Sequence, residues 1–147
     1  MHWFGDWSWG IPLIILTVLV HSLVLFGLRY RMVSVLASYY NEERFSLPFA
    51  LAMGGAVLFV TLMLAGEAAL WAGVYVAIGA QPRASTAMLY SLEAMTTFGH
   101  ANVSLAPRWE FLGALEALNG VILIGLTTAL IFSLLHGAER RRKGTSF

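Results

Sequence analysis

The sequence predicts an all-α membrane protein: three transmembrane helices plus one short re-entrant helix and a polar loop. Three observations lead there. Of 147 residues, 59% are hydrophobic and only 12% are charged, against about 25% charged in soluble domains, so lipid must cover much of the surface. Three apolar stretches approach or exceed the roughly 20 residues that a helix needs to cross a bilayer core of about 30 Å. Between the second and third lies a segment too short to span, followed by a loop rich in glycine, asparagine and proline.

The elements follow in chain order. Residues 1–10 hold Trp3, Phe4, Trp7 and Trp9 with one acid, Asp6, a density of aromatics suited to a membrane–water interface. Residues 11–28 are apolar apart from Thr17, His21 and Ser22 and predict an anchor helix, with Pro12 near its start, where a missing N–H costs nothing. The basic residues Arg29 and Arg31 follow this run rather than precede it, so it reads as a retained anchor and not as a signal peptide. A polar connection covers 29–46, of which 34–40 can extend the first helix. The second span is expected over 47–80, closed by Gln81-Pro82-Arg83. Residues 85–97 form the short helix, 98–107 the loop, and 111–136 the last span. A basic tail, 137–147, carries Arg140, Arg141, Arg142 and Lys143.

Positive charge marks the cytoplasmic side. Arg29, Arg31 and Arg44 share one connection, and four basic residues follow the last span, while residues 1–10 have none. The expected topology is multi-pass in the cell membrane, N-terminus outside and C-terminus cytoplasmic. The short helix and its loop then enter from the outer face and return. Non-helical backbone is tolerated at that depth only where protein or a water-filled path surrounds it. A span, a short re-entrant helix, a polar loop and a second span are the plan of a pore.

Composition narrows the chemistry. There are no cysteines, hence no disulfide, thiolate metal site or cysteine nucleophile. No nucleotide-binding, zinc-protease or hydrolase motif appears, and no spacing among His21, Glu67, His100 and Glu116 makes a recognised metal or triad site. The chain is expected not to be an enzyme. Glu67, Glu116 and Asn119 lie within apolar helices, where polar groups are functional candidates by default; structural hydrogen bonds between helices are the more common reason for such residues. His21 is expected as a packing residue. Gly120 and Gly125 on the last span offer either a bending point for gating or close helix packing. Asn102-Val103-Ser104 fits a glycosylation sequon, a match expected by chance. The basic tail suits topology anchoring first and anionic membrane lipid second. Nothing points to nucleic acid, to a soluble protein partner or to an organic cofactor.

Residues 85–135 resemble the pore module of the potassium channel family. The match is carried by Ser91-Leu92-Glu93-Ala94-Met95-Thr96-Thr97-Phe98-Gly99-His100-Ala101-Asn102. The family there has a pore helix followed by Thr-Thr-x-Gly-Tyr-Gly-Asp. Glu67, Trp71 and Tyr75 resemble the outer helix of small bacterial members and 118–134 their inner helix, so the resemblance covers roughly 55–136. It implies a homotetramer, since one chain supplies a quarter of a filter. It implies an ion pathway at Thr96 to Asn102. Monovalent cations, K+ and with it Na+, would be held by the backbone carbonyls of Thr97, Phe98 and Gly99 and the Thr97 hydroxyl. His100 would supply a further carbonyl. Glu93, Glu67 and Trp71 would support the filter, Glu93 by bonding to Asn102.

Three departures fall on the signature. His100 stands for the tyrosine, Ala101 for the second glycine and Asn102 for the aspartate. A filter needs backbone of alternating hand, which glycine adopts most readily, and a left-handed alanine costs about 1–2 kcal/mol. The expected function is therefore a passive cation channel with reduced potassium selectivity. The alternative is a non-conducting degenerate pore acting as a membrane subunit or scaffold. His100 either packs behind the filter, as the family's tyrosine does, or forms a titratable ring at the outer mouth.

Overall fold

The computed structural model describes residues 3–39, 47–99 and 102–144. Among these every regular element is helical: α1 Trp3–Tyr39, α2 Leu47–Ala77, α3 Ala84–Met95, a single 3₁₀ turn Pro107–Trp109, and α4 Glu110–Gly144. Three segments are long and apolar enough to cross a membrane: Phe4–Tyr39, Leu47–Ala77 and Pro107–Gly137.

α1 is longer than the expected anchor. It begins within the aromatic segment and continues through Arg29 and Arg31 to Tyr39. Pro12 is consequently inside the helix, not at its start. Proline withdraws one backbone donor, which apolar helices tolerate where neighbouring helices or side chains re-satisfy the freed carbonyl. α2 stops three residues short of the expected end. Gly79 adopts φ +69°, and the Gly79 and Ala80 amides donate to the Val76 and Tyr75 carbonyls, at 3.2 and 2.8 Å. This paired pattern is a Schellman termination, with glycine in the left-handed position that suits it. Pro107 opens the turn into α4, where its fixed φ is pre-organised for a helix start.

α1 lies along α4 in the same direction. Gly5 of α1 faces Trp109, and Val33 faces Gly137. α2 runs opposite to both, and α3 packs between α2 and α4. Two ends can therefore be distinguished. The loop end holds the connections around α3 and the start of α1. The tail end holds the end of α4. Leu13, Trp71, Tyr75, Ala87, Tyr90, Leu112 and Leu115 form the core at the loop end. Leu25, Leu36, Ala56, Val60, Leu130 and Leu134 form it at the tail end. Ala68, Met95 and Leu123 fill the level between them.

Candidate functional site

Two groups of residues carry chemistry: the turn after α3, and a buried polar column across the bundle.

α3 is seated by side chains that leave room for it. Ser91 donates to the Ala68 carbonyl at 2.7 Å, tying α3 to the middle of α2. At Gly120 of α4, an added Cβ would lie 2.6 Å from Met95 Cα and 2.7 Å from its carbonyl carbon. The end of α3 thus rests directly on the α4 backbone. Gly113 accommodates the Tyr90 hydroxyl in the same way, one level nearer the loop end.

α3 ends in a second Schellman turn. The Thr97 amide donates to the Ala94 carbonyl at 3.0 Å, and the Phe98 amide to the Glu93 carbonyl at 3.0 Å. Here the left-handed position is filled by Thr97, at φ 56°. A β-branched residue there is an outlier. Gly99 is also left-handed, at φ 90°. Thr96, Thr97, Phe98, Gly99 and Asn102 are all exposed, Phe98 by 82%. His100 and Ala101, which carry two of the three departures in the signature, lie outside the described residues. The chain returns to the start of α4 pinned to the end of α2. Ala106 N–H donates to the Ala80 carbonyl at 2.9 Å, and Gln81 Nε2 to the Ser104 carbonyl at 3.1 Å.

Of the residues expected to support a filter, Glu93 is half-buried on α3, Trp71 is fully buried, and Glu67 is buried with its partner on α1. His21 Nδ1 lies 3.0 and 3.2 Å from the two Glu67 carboxyl oxygens, and Nε2 lies 3.1 Å from the Thr127 hydroxyl of α4. A proton between Nδ1 and the carboxyl closes this contact. One turn nearer the loop end, Asn119 Nδ2 donates to Thr17 Oγ1 at 2.9 Å. Thr17 in turn donates to the Leu13 carbonyl at 2.9 Å. At the next level Tyr75 donates to the Glu116 carboxyl, which the Ser91 hydroxyl also meets. His21, Ser91, Glu116 and Asn119 are completely buried.

These contacts join all four helices by polar groups whose unpaired burial in hydrocarbon would cost several kcal/mol each. Glu67, Glu116 and Asn119 therefore have interhelical partners, and Gly120 has a packing neighbour, while an added Cβ at Gly125 would meet nothing within 4 Å. Sequence reasoning missed Thr127, quoted Ser91 only as part of the matched segment without its contacts to Ala68 and Glu116, and left His21 without its partner. The available signal was spacing. Thr17 and His21 are four apart on α1, and Glu116 and Asn119 three apart on α4, so each pair shares a helix face. Among the described residues no cluster of three or more His, Cys, Asp or Glu side chains is placed to hold a metal. No family model, curated protein or solved structure matches this chain.

Proposed function

We propose that this chain is the subunit of a homotetrameric, passive cation channel resembling potassium channels, with its N-terminus outside the cell membrane and the turn after α3 facing a central axis. One observation carries the reading: the seating of α3. Its end rests against Gly120, ten residues into α4. Gly10, beside the interfacial Trp9, faces Leu112 and Leu115, so Gly120 lies five to eight residues, about 8–12 Å, below that interface in a hydrocarbon core of about 30 Å. α3 on this reading dips about a third of the way into the membrane, and residues 96–106 carry the chain back. Exposed polar backbone at that depth requires a water-filled path. The left-handed geometry at Thr97 and Gly99 supports a backbone of alternating hand, as carbonyl filters require. Permeant ions are K+ and Na+, weakly distinguished because Ala101 and Asn102 replace family residues.

The Schellman turn at Thr97 supports a second reading, since this hydrogen-bond pattern is a common way for any helix to end. The chain would then be a non-conducting membrane subunit or scaffold. Reversal potentials in planar bilayers separate the two. The channel reading expects a cation current with a low potassium-to-sodium permeability ratio, raised by the combined change His100→Tyr, Ala101→Gly and Asn102→Asp. No current from protein that migrates as a tetramer in native mass spectrometry would establish the scaffold reading. A protein found only as monomer or dimer in mild detergent would remove the tetramer.

A further inference from the structure

At the tail end, α1 and α4 enclose a groove that the pore reading leaves unused. It measures about 320 Å³ and is lined by Phe26, Arg29, Tyr30, Val33, Ser34 and Gly137. That volume is at the lower end of the range for small-molecule sites.

Helix geometry places the groove in the bilayer. Trp9 and Arg29 stand twenty residues apart on the unbroken α1, about 30 Å at 1.5 Å per residue. This equals the thickness of the hydrocarbon core. With Trp7 and Trp9 at one interface, Arg29 stands at the other. Phe26 lies one turn deeper, towards the acyl chains, and Val33 and Ser34 lie one turn farther out. The lining thus has an apolar wall at Phe26 on the membrane side and polar groups, Arg29, Tyr30 and Ser34, at and beyond the interface, with Val33 beside them. Tyr30, 81% exposed, is an aromatic at interfacial depth.

The charge is also specific. Arg29 is exposed, and among the described residues no carboxylate lies within ion-pair distance of it. Arg31 and, on α4, Arg140 are exposed nearby in sequence. Glu139, the acid on that stretch of α4, has an interaction of its own. A guanidinium offers a planar fork of donors that matches a phosphate. Topology anchoring would need the charge of Arg29 but not a groove. A soluble anion would need the charge but not the apolar wall at Phe26.

We infer that this groove binds an anionic phospholipid, its phosphate on Arg29 and the first acyl carbons against Phe26. The site depends on the membrane placement of α1 and not on conduction.

The test is native mass spectrometry of the protein released from nanodiscs containing equal amounts of phosphatidylglycerol and phosphatidylcholine. The wild-type protein should retain phosphatidylglycerol preferentially. Arg29→Gln should reduce that retention about fivefold, the effect of one basic residue near a charged surface. Ser34→Leu fills the groove while leaving Arg29 in place, and should reduce it as well. Arg29→Lys should restore part of the loss, which a misfolded protein would not do. Equal retention of both lipids would overturn the inference, as would undiminished phosphatidylglycerol in both Arg29→Gln and Ser34→Leu. Displacement of the bound species by inorganic phosphate would identify a free-anion site and overturn it equally. None of these readouts uses ion flux, so the result stands apart from the pore proposal.

Discussion

Replacing each of the two α4 glycines by alanine should change stability in opposite directions. At Gly120 the new methyl would sit 2.6 Å from Met95 Cα and 2.7 Å from its carbonyl carbon. Carbon atoms in good contact are about 3.5–4.0 Å apart, so α3 and α4 must separate by roughly 1 Å. These atoms and the Met95 carbonyl oxygen, which the methyl also meets, are all backbone, and none can swing aside as a side-chain terminus can. The separation would also loosen the Ala68–Met95–Leu123 packing and pull Ser91 away from the Ala68 carbonyl. Overpacking of this kind costs about 1–3 kcal/mol, and backbone contact favours the upper half. At Gly125 nothing lies within 4 Å of the added methyl. There the change from glycine should stabilise the helix by about 0.5–1 kcal/mol. That propensity gain is common to both sites and cancels in their difference, which should be about 2–3 kcal/mol. Unfolding in mixed micelles by graded addition of dodecyl sulfate, followed by tryptophan fluorescence at fixed protein concentration, measures it. Two variants within about 0.5 kcal/mol of each other would mean that α3 does not rest on Gly120, and the depth assigned to α3 would fall with it.

In a double-mutant cycle of His21→Leu and Glu67→Gln, measured in the same micelles, the coupling should be about 1–3 kcal/mol, as for hydrogen bonds to charged groups; additive effects would remove the pair. Single cysteines at Phe4 and Thr145 should react with impermeant maleimide from outside intact cells only at position 4, and the reverse pattern would invert the topology. Thr97→Gly should leave unfolding free energy level or raise it by up to about 1 kcal/mol, because relief of a left-handed threonine is partly offset by glycine's freedom in the unfolded chain. If the Thr97 hydroxyl binds ions, the same variant should lower potassium flux in liposomes, and unchanged flux would take Thr97 out of the pathway.

The spans were legible because lipid exposure leaves a signal in composition itself. Leu47 to Ala77 is almost unbroken apolar sequence, and Gln81-Pro82 has no reason to continue it. Helix ends were less legible. Arg29 and Arg31 suggested that the first helix gives way to a polar connection, but α1 runs through both to Tyr39, because charge alone gives a helix no cause to unwind. The buried partners were hidden for a different reason. His21 meets Glu67 and Thr127 only because α1 lies on the same side of the bundle as both, and hydropathy carries no information about which helices touch. The end of α3 was placed near its true position by the threonines and Gly99. That Thr97, and not Gly99, takes the left-handed capping position depends on the two amide bonds to Glu93 and Ala94, which no residue pattern announces.

The two glycines of α4 cannot share one role, and the reason bears on the pathway. Five residues separate them, which at about 100° per residue places them roughly 140° apart around the helix. Gly120 therefore faces α3, with Glu116, Asn119 and Leu123 buried on the same side. Gly125 belongs with exposed Phe111, Leu118, Val121, Thr128 and Phe132, a stripe repeating every three to four residues that none of the described helices covers. In the proposed tetramer this stripe is the side of α4 available to the axis or to a neighbouring subunit. It is almost wholly apolar, and its Thr128 hydroxyl is bonded back to the Ile124 carbonyl at 2.9 Å. The polar column of His21, Glu67, Asn119 and Glu116 is inside the protomer, on the other face. An ion on the axis would thus draw little from α4 side chains, and its water must be replaced by backbone carbonyls of the turn at 96–99. The buried column holds α1 onto α2 and α4, which is why cutting His21 from Glu67 should alter stability more directly than any ion selectivity of the proposed channel.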